Sequence, residues 1–411
     1  MSPDSQQRAA LPALDGIRVL EVGTFMAAPF ATMQLADLGA EVIKVESPAG
    51  GDPVRTVGPF INGHSSPFAR LNRNKRSLAL NLKDQDGQRI LRELLAHTDV
   101  LVENLRPGAL AQLGFGYEDV RAIKADIVYV SASGWGRDGP LHSLPGLDIM
   151  AQARSGLMSI TGLPGGEPVK VGVPVCDLTC GLYVALAVVA ALRVRDHSGA
   201  GQYIDVSLFE SAVSLAIWEA GRYFATGESG EPLGSAHQTS APYQAIRTSD
   251  GWATIGAITP KTWHGLCEAL EIQHLLDVPE YTDAFSRHGH RDKLIDQIEE
   301  TSTRMSTTEL VKALEGAGVP CAPIADMSHV FSDGQLSARD FFWDADHPDM
   351  ARVRQLGSPM RFSATPAARH TAGPVLGADT EALLAECGLD QAAAARLHER
   401  GVIAGAVAEA S

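Results

Sequence analysis

The sequence predicts an α/β fold: a parallel sheet covered by helices over residues 1–225, a smaller α+β domain over 226–325, and a C-terminal part over 326–411. Three observations predict it. Strand-like and helical patterns alternate through the first half of the chain, as they do in folds that wind a parallel sheet. The composition shifts near residue 225, where ATGESGEPLGSAHQTSAP is rich in Gly, Ser and Pro. With 411 residues, 45% apolar and 20% charged, the chain is long enough for two or three compact units and too apolar for a disordered chain.

Each element has its own signal. Ile17 to Gly23 is a short apolar run, Ala27 to Leu38 has helical spacing, and Glu41 to Glu46 alternates like a strand, which together make a β-α-β unit. The pattern repeats with a helix at Gln88 to Ala96, a strand at Asp99 to Glu103, a helix at Tyr117 to Lys124 and a strand at Asp126 to Ser131. Loops at the carboxyl ends of such strands form the binding crevice. Past the linker, Tyr243 to Thr248 and Trp252 to Ile258 read as strands joined through Ser249-Asp250-Gly251. Helical patterns follow at Pro260 to Leu270, Arg291 to Thr303 and Thr307 to Glu315, and two short ones close the chain at Thr380 to Glu386 and Gln391 to Arg400.

Composition narrows the function. A formal charge of -15 repels phosphate backbones, which argues against nucleic acid or an anionic membrane as the partner, so a polyanionic small ligand needs a local cluster of cations. The five cysteines (Cys176, Cys180, Cys267, Cys321, Cys387) lack paired ligand spacing and read as reduced thiols of a cytoplasmic protein, with no metal site. The N-terminus has no basic stretch ahead of an apolar core, so no secretory signal is expected. Leu182 to Leu192, the longest apolar run, is about half a membrane span and reads as a buried helix.

Read from the residues alone, the chemistry stays open. The turn Gly23 to Pro29 has small residues at a helix start but no GxGxxG, which disfavours a dinucleotide. Arg70 to Arg76 holds four cations in seven residues and reads either as a solvated loop or as a phosphate-binding patch. Asp177, before the apolar helix, reads either as an ordinary N-cap or as a carboxylate nucleophile held ionised by the helix end.

Several segments together supply the context. LDGIRVLEVG (Leu14 to Gly23), LADLGAEVIKVE (Leu35 to Glu46), LNRNKRSLALNLK (Leu71 to Lys83), DVLVENLRPG (Asp99 to Gly108) and SASGWGRDGP (Ser131 to Pro140) follow one another in order. With GVPVCDLTCGLYVALAVVAAL (Gly172 to Leu192) and GAGQYIDVSLFESAV (Gly199 to Val213), the sequence resembles the class III CoA-transferases, the formyl-CoA:oxalate and crotonobetainyl-CoA:carnitine type, and more particularly their dicarboxylate-using branch.

The resemblance implies a large Rossmann-like domain formed by both chain ends, a small domain between them, and an interlocked homodimer. It implies Asp177 as the catalytic carboxylate within a G-x(3)-(G/C)-D-x(3)-G pattern, and coenzyme A contacts at Met26, Ala27, Asn72, Arg73, Asn74, Lys75, Asn104, Leu105 and Arg106. Coenzyme A and acyl-CoA are then substrates, with no tightly bound cofactor, and a carboxylic acid is the acceptor. Departures from the oxalate-specific pattern fall at Met26, Ser47 and Gln112, and the family's glycine-rich loop, the expected lid, corresponds to Gly234 to Ser240, with Gln238 toward the substrate. The fold also hosts α-methylacyl-CoA racemases, whose histidine is Leu147 here and whose glutamate is Arg247. Arg247 is therefore a candidate partner for the distal carboxylate of a dicarboxylic acid, ahead of Arg154 and Arg222. A racemase, with His142 or His237 compensating, and a non-catalytic acyl-CoA-binding protein are the alternatives.

Overall fold

The computed structural model describes residues 11–405, so the first part of the N-terminal stretch read for a signal lies outside the described residues. The chain forms two compact units. The larger runs through Leu157, resumes from Lys170 to Gly221, and takes in the chain from Ser337 onward; the smaller comprises Met158–Val169 and Arg222–Leu336. The expected small domain, 226–325, thus gains residues at both ends and a separate stretch from earlier in the chain.

The larger unit is built on seven described strands: β1 (Arg18–Val22), β2 (Glu41–Glu46), β3 (Lys75–Leu80), β4 (Val100–Glu103), β5 (Val128–Ser133), β6 (Gln202–Ser207) and β7 (Ile403–Ala404). Their order is β7-β3-β2-β1-β4-β5-β6, parallel throughout except for β7, which lies antiparallel on β3. The helices that matter for the site are α1 (Ala27–Asp37), α2 (Gln85–Ala96), α3 (Asp148–Arg154), α4 (Val175–Ser198) and α5 (Leu208–Leu215). Successive side chains of a strand point to opposite faces, and both faces are covered. Val19, Val42, Val100 and Val128 pack with α1 and α4 on one side, while Leu20, Ile43, Leu78 and Leu101 pack with α2 and Leu383, Leu384 and Leu397 on the other.

Two strands carry lysines into this apolar setting. Lys44 of β2 sends its Nζ to Glu21 Oε1 (2.6 Å), Asp52 Oδ2 (2.8 Å) and the Gly23 carbonyl (2.9 Å). Lys75 donates to Glu21 Oε2 (2.7 Å), the Pro29 carbonyl (2.8 Å) and Asn72 Oδ1 (2.9 Å). The side chains of Glu21, Lys44, Lys75 and Asp52 are completely buried, so each charge depends on its neighbours rather than on water.

Helix α4 lies against α1 at one point of very close approach. A Cβ on Gly181 would sit 2.9 Å from the Ala27 carbonyl oxygen and 3.0 Å from the Phe30 ring, so the backbones meet with no room for a methyl. The smaller unit holds an antiparallel sheet of Tyr243–Arg247, Trp252–Gly256 and Cys321–Pro323, with Trp252–Gly256 central, packed by helices Pro260–Ala269, Arg291–Ser302 and Thr307–Gly316 around Ile246, Ile255, Leu266, Ile298 and Leu310.

Candidate active site

Strand order reverses direction at β1, whose neighbours β2 and β4 are wound to opposite sides, and the loops after β1 and β4 diverge there to open a crevice. The turn after β1 is held from three directions. Asn104, just past β4, accepts from Thr24 N (2.9 Å) and donates to the Thr24 carbonyl (2.8 Å). Asp52 Oδ1 accepts from Phe25 N (3.2 Å), and Lys44 holds the Gly23 carbonyl. Phe25 is thereby fixed at φ 61°, a left-handed conformation that a bulky residue seldom adopts, with its ring exposed.

Two cavities flank this turn, both lined entirely by the larger unit. The first, 590 Å³, is walled by Phe25, Met26, Ser133, Leu147, Lys170 and Asp177 among others. The second, 240 Å³, lies over the carboxyl ends of β1, β2 and β3, with Val22, Val45 and Leu80 beneath and Ser47, Asn81 and Lys83 around it. Thr24 lines both.

Asp177 is the third residue of α4, not its N-cap. The cap comes from 28 residues upstream: Asp148 Oδ1 accepts from Cys176 N (2.8 Å) and Asp177 N (3.3 Å), while its Oδ2 accepts from Gln152 Nε2 (2.6 Å). Gln152, fully buried, uses its Oε1 to accept from Val171 N (2.9 Å). With the helix end satisfied by Asp148, the Asp177 carboxylate is left facing the larger cavity, and no described residue donates a hydrogen bond to it. Burial, and then the neighbouring Asp148 charge, push its pKa up to about 7. The carboxylate is thus less strongly ionised than a helix N-terminus alone would make it. Cys176 and Cys180, buried beside it, are pushed up to about 12 by burial first and stay protonated, which suits their packing role.

The residues expected to bind coenzyme A divide into three groups. Met26 and Ala27 line the larger cavity, and Leu105 lines the smaller one. Asn104 also borders the larger cavity, although both polar atoms of its side chain are engaged by Thr24. Asn72, Arg73, Asn74 and Lys75 are engaged with interior partners. Arg73 grips Asp37 through Nε (3.0 Å) and Nη2 (2.5 Å), Asn74 bridges Asp37 to the backbone at His370 and Thr371, and Lys75 and Asn72 belong to the buried charge network. These groups hold the interior together and line neither cavity. Arg106 lines a separate 220 Å³ cavity with Tyr117, Tyr129 and Arg137, the last paired to Glu103.

Gln238 and Arg247 belong to the smaller unit. Arg247 donates from Nε and Nη2 to Glu299 Oε2, each at 2.7 Å, so its guanidinium already has a carboxylate. Leu147 lines the larger cavity where a racemase needs its histidine, and no histidine lines that cavity among the described residues. Sequence reasoning missed Asp148 as the cap, Lys170 as a cation lining the same cavity as Asp177, and Ser47 with Leu80 to Lys83 as the walls of the second cavity. The signal for the last group was present, because SLALNLK runs from an alternating strand directly into its carboxyl-end loop.

The family model described as CoA-transferase family III matches residues 14–380. The succinyl-CoA:glutarate CoA-transferase of Mus musculus is 38% identical over 396 residues, covering 96% of this chain and 91% of its own. The succinyl-CoA:mesaconate CoA-transferase of Haloarcula marismortui is 36% identical over 388 residues, covering 92% and 97%. Among solved structures, a CAIB/BAIF family protein from Brucella suis superposes with a TM-score of 0.85 at 35% identity, covering 92% of this chain and all of that one.

Proposed function

The chain belongs to CoA-transferase family III and is a CoA-transferase; on that premise we propose that it moves coenzyme A between small dicarboxylic acids, with Asp177 as the covalent nucleophile. One observation carries the reading: a carboxylate relieved of capping duty, raised toward neutrality by burial, opens onto a 590 Å³ cavity at the strand-order reversal. Relatives named for glutarate and mesaconate support the acid class.

The steps balance without an external energy source. An Asp177 oxygen attacks the thioester carbonyl, the C–S bond breaks, and a mixed anhydride forms with CoA thiolate released. The thiolate attacks the aspartyl carbonyl, expelling the donor acid as a carboxylate and leaving an aspartyl-CoA thioester. The acceptor carboxylate attacks that thioester to give a second anhydride, and the thiolate takes the new acyl group, restoring Asp177. Each step exchanges activated acyl bonds of similar energy, so the scheme needs no metal or resident cofactor.

Coenzyme A spans both cavities in this reading. Its nucleotide end lies in the 240 Å³ cavity, with the base on Val22, Val45 and Leu80 and a phosphate at Lys83, and its thiol end passes Thr24 and Leu105 to reach Asp177. Lys83→Ala is expected to raise KM for CoA esters about 10-fold, more at low salt than at high, with a smaller change in kcat. Steady-state kinetics at two ionic strengths test this, and a KM unaffected by the substitution would move the phosphate elsewhere.

The same reading includes a homodimer. Helix α4 is long and apolar enough to cross a bilayer, yet one side of it is buried against α1 while Leu182, Leu186 and Val194 stay exposed. A second copy of the chain covers that side, as the family resemblance leads one to expect, and the protein works in the cytoplasm with its thiols reduced.

A further inference from the structure

We propose that Lys170 is the residue that selects dicarboxylic over monocarboxylic substrates, by pairing with the carboxylate that does not react. The inference rests on the transfer reading above and deepens it. Two carboxylates, Asp148 and Asp177, face the larger cavity, and Lys170 is the one cationic side chain lining it among the described residues. An acid substrate already brings one negative charge to this wall in the carboxylate that exchanges with Asp177. A second carboxylate on the same molecule would be poorly tolerated there without a cation, because desolvated like charges repel strongly.

The surroundings of Lys170 suit that task. Its Nζ donates to the Val171 carbonyl at 3.2 Å, a neighbouring backbone group and its one partner among the described residues, which leaves donors free for a ligand. The backbone beside it is anchored, since Val171 N is held by Gln152, and Gln152 in turn holds the Asp148 carboxylate that caps the helix of Asp177. A single buried glutamine therefore registers the cation against the nucleophile. Arg247, the sequence's candidate for this role, has its guanidinium on Glu299.

The test compares succinyl-CoA with butyryl-CoA, esters of equal chain length that differ in the distal carboxylate. In K170A, the ratio of kcat/KM for succinyl-CoA over butyryl-CoA is expected to fall about 10- to 100-fold, the loss typical of one charge-assisted hydrogen bond, and K170R is expected to restore most of it. Equal losses on both esters would place Lys170 on the CoA moiety that they share and overturn the assignment, as would an unchanged ratio. Hydroxylamine trapping separates this result from the transfer reading itself. Hydroxamate at Asp177 from either ester, together with an unchanged ratio, sinks the Lys170 assignment alone. No hydroxamate at Asp177 in the unsubstituted enzyme with either ester would remove the transfer reading and this inference with it.

Discussion

Asp177→Ala is expected to lower transfer from succinyl-CoA to a dicarboxylate acceptor by at least about 10³-fold, because the cavity's other carboxylate, Asp148, has both oxygens engaged by the helix N–H groups and Gln152. Cys176 and Cys180 cannot substitute, being buried and held protonated. CoA esters should still bind the variant with near-normal affinity, since the nucleotide end is assigned to a cavity that Asp177 does not touch. Calorimetric binding alongside the rate assay separates the two effects, and transfer persisting in the variant would end the covalent mechanism. The pH profile gives a second handle. Asp177 attacks only when ionised and its pKa stands at about 7, so kcat/KM of the free enzyme should climb through that pH and level off above it. Asp148→Asn keeps a good capping side chain but removes the nearby charge, so the limb should move to lower pH by part of the shift, burial supplying the rest. A limb that stays in place would assign the titration to another group.

Lys44→Met is expected to lower unfolding stability by about 3–5 kcal/mol, the penalty for leaving buried charges without their partner. Methionine nearly matches the lysine stem, so packing changes little and the loss reports the missing ammonium. Glu21, held down to about 2 chiefly against burial by Lys44 and then Lys75, would keep only one cation, and Asp52 would keep none of comparable proximity. Denaturant melts of both proteins measure the difference. A midpoint unchanged within error would mean that the network is neutral in energy and serves position alone. The turn after β1 should loosen in the same variant, because Lys44 holds Gly23 directly and Phe25 through Asp52.

What the sequence made legible follows from where each partner lies. Strands β1, β2, β4 and β5 were visible because apolar runs announce burial without reference to anything distant. Strand β3 was hidden, since Lys75-Arg76-Ser77 reads as surface, and only the fold reveals Glu21 waiting 54 residues earlier for Lys75. Reading Asn72–Lys75 as an exposed cationic patch also drew attention away from the loop after the strand, where Lys83 lines the smaller cavity. Asp177 was singled out through its motif, but its release from capping was not visible, because the capping group sits upstream on another helix. Charge is the property that sequence reports least faithfully here: it counts the groups and is silent on which are already paired.

The contact at Gly181 divides α4 into two arms of unequal length. Carbonyl against glycine leaves no rotamer through which the crossing could relax, so a tilt about that crossing would move the two ends of the helix unequally. Asp177 lies four residues toward one end, about 6 Å along the axis, while the other end at Ser198 is about 26 Å away. A rocking motion that carries the far end through several ångströms thus displaces the nucleophile by roughly a quarter as much. Asp177 sits on the short arm, so a tilt that moves the Ser198 end would reach it reduced in amplitude.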